Sequence, residues 1–223
     1  MITVYDAVGG KLVTRPEIGN LSTGGVWIDL LNPAEDEDKI IEQALGIEVP
    51  TRSEMREIEA SNRFYTESGA YYMTSIIVHN STQDVPLTAV ITFILAGSRL
   101  VTVRYAEPRA FPLYVARAAK GDPACVSGPG IMIGLIEMLI EREADLIERV
   151  QDQVERMAPI VFGQNGSHNS RDRRLDVLLK TVGKEGDVTA RAQESAMSIH
   201  RLLLYFANAV RERKDDKRIM GRI

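Results

Sequence analysis

The chain contains one cysteine, Cys125, in 223 residues. No internal disulfide can form. The three histidines, His79, His168 and His200, are too scattered to join it in a structural zinc site. Such sparing use of cysteine fits a reducing compartment, with the cytoplasm expected. Long apolar runs are also missing. The longest covers residues 131–140, is interrupted by Glu137, and falls far short of the roughly 20 residues that a membrane-spanning helix needs. Residues 1–6 show neither a charged leader nor an apolar stretch, so no signal peptide is expected. There is no excess of positive charge: 27 Lys and Arg against 31 Asp and Glu leave a formal net charge of -4. A mildly acidic chain is a poor nucleic-acid binder, and no nucleic-acid partner is expected. Catalytic fingerprints are absent too, with no nucleophile elbow, Walker loop, dinucleotide motif or HExxH. Gly183-Lys184-Glu185-Gly186 has the wrong glycine spacing for a phosphate loop. An enzyme is therefore not expected.

What is present reads as a folded domain. Hydrophobic residues at 44% and charged residues at 26% are ordinary for a globular protein, and the length suffices for a substantial core. The first half mixes strands and helices. Gly9-Gly10 joins strands at 2–8 and 11–14, and residues 26–30 form a short strand around the only tryptophan, Trp27. A helix start follows, with Asn32 as cap, Pro33 at the first helical position, acids at 35–38 and a stop at Gly46. Thr51-Arg52-Ser53-Glu54 has the form of a capping box for a second helix that would bury Met55 and Ile58. Strands at 63–66 and 70–79 turn at Ser68-Gly69, and strands at 87–95 and 100–105 turn at 96–99. Their content of Val, Ile and Phe fits a sheet covered on both faces. A helix at 112–120 ends at Gly121.

The second half is helical. Residues 130–157 read as one long helix, with Ile136, Ile140, Ile147, Val150, Val154 and Met157 at helical spacing. A polar loop at 163–169 precedes a helix at about 172–181. Gly183 and Gly186 weaken it, and a last helix runs from Asp187. Its basic end carries Arg211, Arg213, Lys214, Lys217, Arg218 and Arg222, diluted by Asp215 and Asp216, and reads as a solvated face. No stop signal closes this helix before Gly221, so a truncation is expected there.

Among the acids, the run Glu35-Asp36-Glu37-Asp38 reads as charge placed against a helix macrodipole, since successive helical residues point in different directions. Glu54 reads as the capping-box acid. Glu137 is the sole charge within its apolar segment, and marks either an exposed stripe or a buried, paired acid.

Several segments, in order, resemble one family. Val26-Trp27-Ile28-Asp29-Leu30 followed by Asn32-Pro33, then TRSEMREIEASNRFY at 51–65, VITFILAGSRLVTVR at 90–104 and PRAFPLY at 108–114 are similar to the cytoplasmic N-terminal part of CorA magnesium transporters of the proteobacterial type. The resemblance spans nearly the whole chain and is best over 26–117. It implies an α/β (α+β) fold: a mixed sheet sandwiched between helices, followed by long C-terminal helices leading into a truncated stalk. The implied division is a cytoplasmic domain at 1–183, sheet-rich over 1–125 and helical over 126–183, with the start of a stalk helix at 187–223. The implied function is that of a cytoplasmic, divalent-cation-sensing regulatory domain of a magnesium transporter in the inner (plasma) membrane. Mg2+ is the expected ion, with Co2+, Ni2+ or Zn2+ as alternatives. The full-length protein is expected to be a homopentamer, the fragment alone monomeric, and the membrane segments to lie outside this chain. Regulatory ions in such proteins bind acids between neighbouring domains. By resemblance these positions fall at Glu54 and Glu137, with a partner acid beyond Ile223. The same domain of a zinc-transporting relative and a soluble helical adaptor are the competing readings.

Overall fold

Apolar side chains alternate along the strands, and this period of two sorts the core into two layers. In the computed structural model, which describes residues 1–16, 21, 24–57, 59, 62–80, 86–122, 125–162, 168–213 and 221–222, seven strands form one mixed sheet. They are β1 (Ile2–Val8), β2 (Lys11–Thr14), β3 (Trp27–Leu31), β4 (Phe64–Glu67), β5 (Ala70–His79), β6 (Leu87–Ala96) and β7 (Arg99–Arg104), in the spatial order β2-β1-β3-β7-β6-β5-β4. Only the central β3–β7 pair is parallel; the others are antiparallel. The tight turns are made where the sequence places them. Gly9 and Gly10 take φ of 58° and 74°, and Ser68-Gly69 takes 50° and 77°, the left-handed region that two-residue hairpins need.

One face of the sheet presents Trp27, Met73, Phe93 and Leu100. It is covered by α2 (Ala110–Ala118), α3 (Gly128–Phe162) and α4 (His168–Arg213). The opposite face presents Ile28, Tyr72, Ile94, Val101 and Val103 to α1 (Glu35–Leu45) and to a 3-10 turn at Glu54–Arg56. The sheet is thus sandwiched between helices, as expected. Helix α3 approaches α2 closely because Gly134 has no side chain: a Cβ there would sit 2.4 Å from the Tyr114 ring.

Several boundaries differ from the sequence reading. Asn32 is not the cap of α1. It sits at φ 44°, and Ala34 is the N-cap, with Glu37 closing back on the Ala34 amide at 3.1 Å. Gly46 does stop the helix, at φ 66°. The Thr51 capping box forms, yet it opens only one 3-10 turn. Met55 is buried, whereas Ile58 lies outside the described residues. Helix α3 runs on past Met157 and carries Pro159 within it. Most of the polar loop at 163–169 lies outside the described residues, and His168 and Asn169 begin α4.

The largest correction concerns Gly183 and Gly186, which do not interrupt α4. Their cost, about 1 kcal/mol each against alanine, is outweighed by burial immediately downstream. Val188, Ala192, Ile199, Leu202 and Phe206 are all nearly inaccessible. Residues 187–213 continue the same helix, which packs on β5 and α3.

Helix α4 also seals an open sheet edge. Strand β4 stops opposite Met73, so the next outward-facing amides of β5 have no strand partner. Thr74 still reaches the Arg63 carbonyl, at 2.8 Å. Ile76 donates instead to Ser198 Oγ (2.9 Å) and Val78 to Ser195 Oγ (3.2 Å). Both serines are buried, and their hydroxyls replace the missing carbonyls, as buried amides require.

Candidate functional site

The 3-10 turn divides charge by sign. Arg52 and Arg56 line one cavity, whereas Glu54 and Glu57 line another on the other side. The second is a cleft of about 430 Å³ lined by Glu48, Glu54, Glu57 and Glu67. Each carboxylate arrives on a different piece of chain. Glu48 follows α1 and is fixed by Tyr72, whose hydroxyl donates to the Glu48 carbonyl at 3.0 Å. Glu54 and Glu57 come from the turn, and Glu67 ends β4. Tyr65 forms the wall, its ring stacked on Tyr72 with centroids 4.5 Å apart.

The acids make the cleft a negative environment. The Tyr65 phenol is pushed up to about 12, chiefly by burial and then by Tyr72, Glu67, Glu54 and Glu48. Glu54 is held below the usual carboxylate range by the Thr51 amide and hydroxyl, each 2.8 Å from its Oε2. It is therefore charged at neutral pH while it caps the turn. Glu57 accepts a short hydrogen bond from the Asn62 amide. Among the described residues no group of three or more His, Cys, Asp and Glu side chains is close enough to hold a bare metal ion.

The other acid singled out by sequence, Glu137, lies on α3, on the far side of the sheet from Glu54. It is part-buried and paired, with Arg222 as its partner. One chain does not bring Glu54 and Glu137 together, and an ion touching both would have to join two chains. The acidic run at 35–38 serves the fold. Glu37 meets the N-terminal ammonium at 2.6 Å, and burial followed by the neighbouring acids pushes Asp38 up. Glu48, Glu57 and Glu67 escaped the sequence reading, because nothing in their spacing signals that they converge. The histidines lie on β5 and at two places along α4.

Residues 22–217 match the family model described as "CorA-like Mg2+ transporter protein". The chain belongs to the CorA-like Mg2+ transporter family. The magnesium transport protein CorA of Pasteurella multocida (strain Pm70) is 26% identical over 212 residues, covering 95% of this chain and 66% of that protein. Its counterpart in Escherichia coli (strain K12) is 28% identical over 214 residues, again covering 95% and 66%. The fold is shared with the soluble domain of CorA from Methanocaldococcus jannaschii, with a TM-score of 0.56 and 11% identity over 92% of this chain and 97% of that one. The chain thus spans about two-thirds of the length of these CorA relatives, which are named as transport proteins and not as enzymes. Among the described residues no helix is long and apolar enough to cross a membrane.

Proposed function

We propose that this chain is the cytoplasmic, divalent-cation-sensing domain of a homo-oligomeric magnesium transporter of the inner membrane, and that the acidic cleft beside the 3-10 turn is its sensor. The observation that carries this reading is the convergence of Glu48, Glu54, Glu57 and Glu67 on one cleft of about 430 Å³. Four carboxylates around a shared space repel one another, and a cation relieves that repulsion. An ion that binds one arrangement of the assembly better than another biases the assembly toward it. The donors are carboxylate oxygens and the Asn62 amide, a hard set that favours Mg2+ over Zn2+. Co2+ and Ni2+ remain competitors for the same oxygens. Glu137 enters the scheme as a second ligand on a neighbouring copy.

The test is a transport assay on the transporter carrying this domain, with internal Mg2+ as the variable. Replacing Glu54 and Glu57 by Gln should shift closure to higher internal Mg2+. Closure at the wild-type concentration in that double variant, and again with Glu137→Gln added, would show that these acids do not sense the ion.

A further inference from the structure

A second cavity lies on the basic side of the 3-10 turn. It holds about 470 Å³ and lies between the turn and the ends of β5, β6 and β7. Arg52 and Arg56 line it, with His79, Thr88 and Tyr105 opposite, and among the described residues no carboxylate lines it. Neither guanidinium makes an ion pair or hydrogen bond within the described residues; that of Arg52 lies over the Tyr105 ring, 5.2 Å from its centroid. Burial pushes the His79 imidazole below its ordinary value, and a side-chain hydrogen bond with Asn80 offsets part of that. Asp38, which does not line the cavity, acts on the Tyr105 phenol.

From this geometry we propose that the cavity binds the phosphate group of a small phosphorylated molecule. Two guanidinium forks facing one space match a tetrahedral oxyanion, which accepts several N–H bonds at once. Thr88 and His79 line the opposite wall. The volume falls in the range of small-molecule sites, about 300–1,000 Å³, and leaves room beyond a single phosphate for an organic body against Tyr105. The turn that carries both arginines also carries Glu54 and Glu57, so an anion on one side is mechanically joined to the cation cleft on the other.

Calorimetry on this chain in EDTA, which removes divalent cations, tests the assignment with inorganic phosphate, pyrophosphate, ATP and adenosine as probes. Saturable binding of ATP or pyrophosphate, weakened at least about tenfold by R52Q/R56Q and absent for adenosine, supports it. ATP well above both inorganic anions points to an organic phosphate, and equal binding of pyrophosphate to a free inorganic anion. Both arginines are exposed, so the double variant should fold, and an unchanged melting curve checks this. His79→Gln, which alters one wall without removing charge, should weaken ATP more than it weakens pyrophosphate. No binding of any phosphate, or binding undiminished in R52Q/R56Q, overturns the proposal. So does a change in sedimentation in R52Q/R56Q with anion binding intact, because the arginines would then serve a contact between copies.

Discussion

Arg222 holds Glu137 with both arms of its guanidinium, Nε at 2.9 Å from one carboxylate oxygen and Nη2 at 2.6 Å from the other. The two residues are 85 positions apart, and this pair pins the described end of the chain onto α3. A cation approaching Glu137 must therefore displace a bidentate guanidinium. Arg222→Gln should leave stability nearly unchanged, within about 1 kcal/mol, because both side chains are roughly one-third exposed and water screens the pair. The same variant should bind Mg2+ more tightly, and adding Glu137→Gln should cancel the gain. Calorimetric titration of the three proteins measures both effects, and no gain in Arg222→Gln would separate Glu137 from any ion site.

A second ion pair has the opposite character. Asp29 and Arg104, on the adjacent parallel strands β3 and β7, meet at 2.6 Å with both side chains buried. The network continues from Asp29 to the Thr102 hydroxyl (2.7 Å), which accepts from Trp27 Nε1 (2.9 Å). Arg104→Met strands a buried carboxylate and should cost about 3–5 kcal/mol in urea denaturation. Asp29→Leu combined with Arg104→Met should cost much less than the sum of the single changes. Additive losses would mean that the pair does not act as a unit.

Elements set by local chemistry were legible in the sequence. Gly9-Gly10 and Ser68-Gly69 announced their hairpins, and the content of Val, Ile and Phe at 87–105 announced a sheet covered on both faces. Elements decided by tertiary contact were not. Gly183 and Gly186 look like a break until Val188 and Ala192 are seen buried against α3. Asn32 looks like a cap, yet its amide is held by the Arg104 carbonyl at 2.9 Å, which shifts the helix start to Ala34. The acidic cleft was legible only at Glu54. Glu48 and Glu67 join it because β4 pairs with β5 and Tyr65 stacks on Tyr72, and neither relation leaves a periodic trace.

Glu143 gives a pH dependence with a definite sign. It is buried on α3, one of its oxygens has no partner, and its other contact is the Ser195 hydroxyl. Burial pushes its carboxyl up, and the Ser195 bond offsets only part of that. The folded state therefore holds this proton more tightly than the unfolded chain does. Its contribution to stability is complete below the ordinary carboxylate value, and is lost as pH rises through the raised one. Glu143→Gln should raise stability at pH 7.5 and change little at pH 4, measured by denaturant titration. Asp6, Glu37 and Glu54 are shifted the other way, so the difference between variant and wild type is the informative quantity.

The serine seal on β5 predicts a local effect. Ser198→Ala removes the acceptor for the Ile76 amide and leaves a buried N–H unsatisfied, at a cost of about 1–3 kcal/mol. Amide hydrogen exchange should quicken first at Ile76 and Val78, ahead of the central pairs of β6 and β7. Uniform acceleration across the sheet would mean that α4 and the sheet open only together.

Glu54 does two jobs, and they can be separated. As a cap it accepts from the Thr51 amide and hydroxyl, and a glutamine side chain can do the same. As part of the acidic cleft it contributes charge, which glutamine cannot. Glu54→Gln should therefore keep the melting temperature and weaken Mg2+ binding. Thr51→Val removes the hydroxyl that bonds Glu54. It should lower stability by about 0.5–2 kcal/mol while leaving Mg2+ binding within a few-fold of wild type. Thermal unfolding and calorimetric titration of both variants resolve the two roles. If Thr51→Val abolished Mg2+ binding while Glu54→Gln left it intact, the cleft would depend on the shape of the turn and not on the Glu54 charge, and the ion would have to be held by Glu48, Glu57 and Glu67.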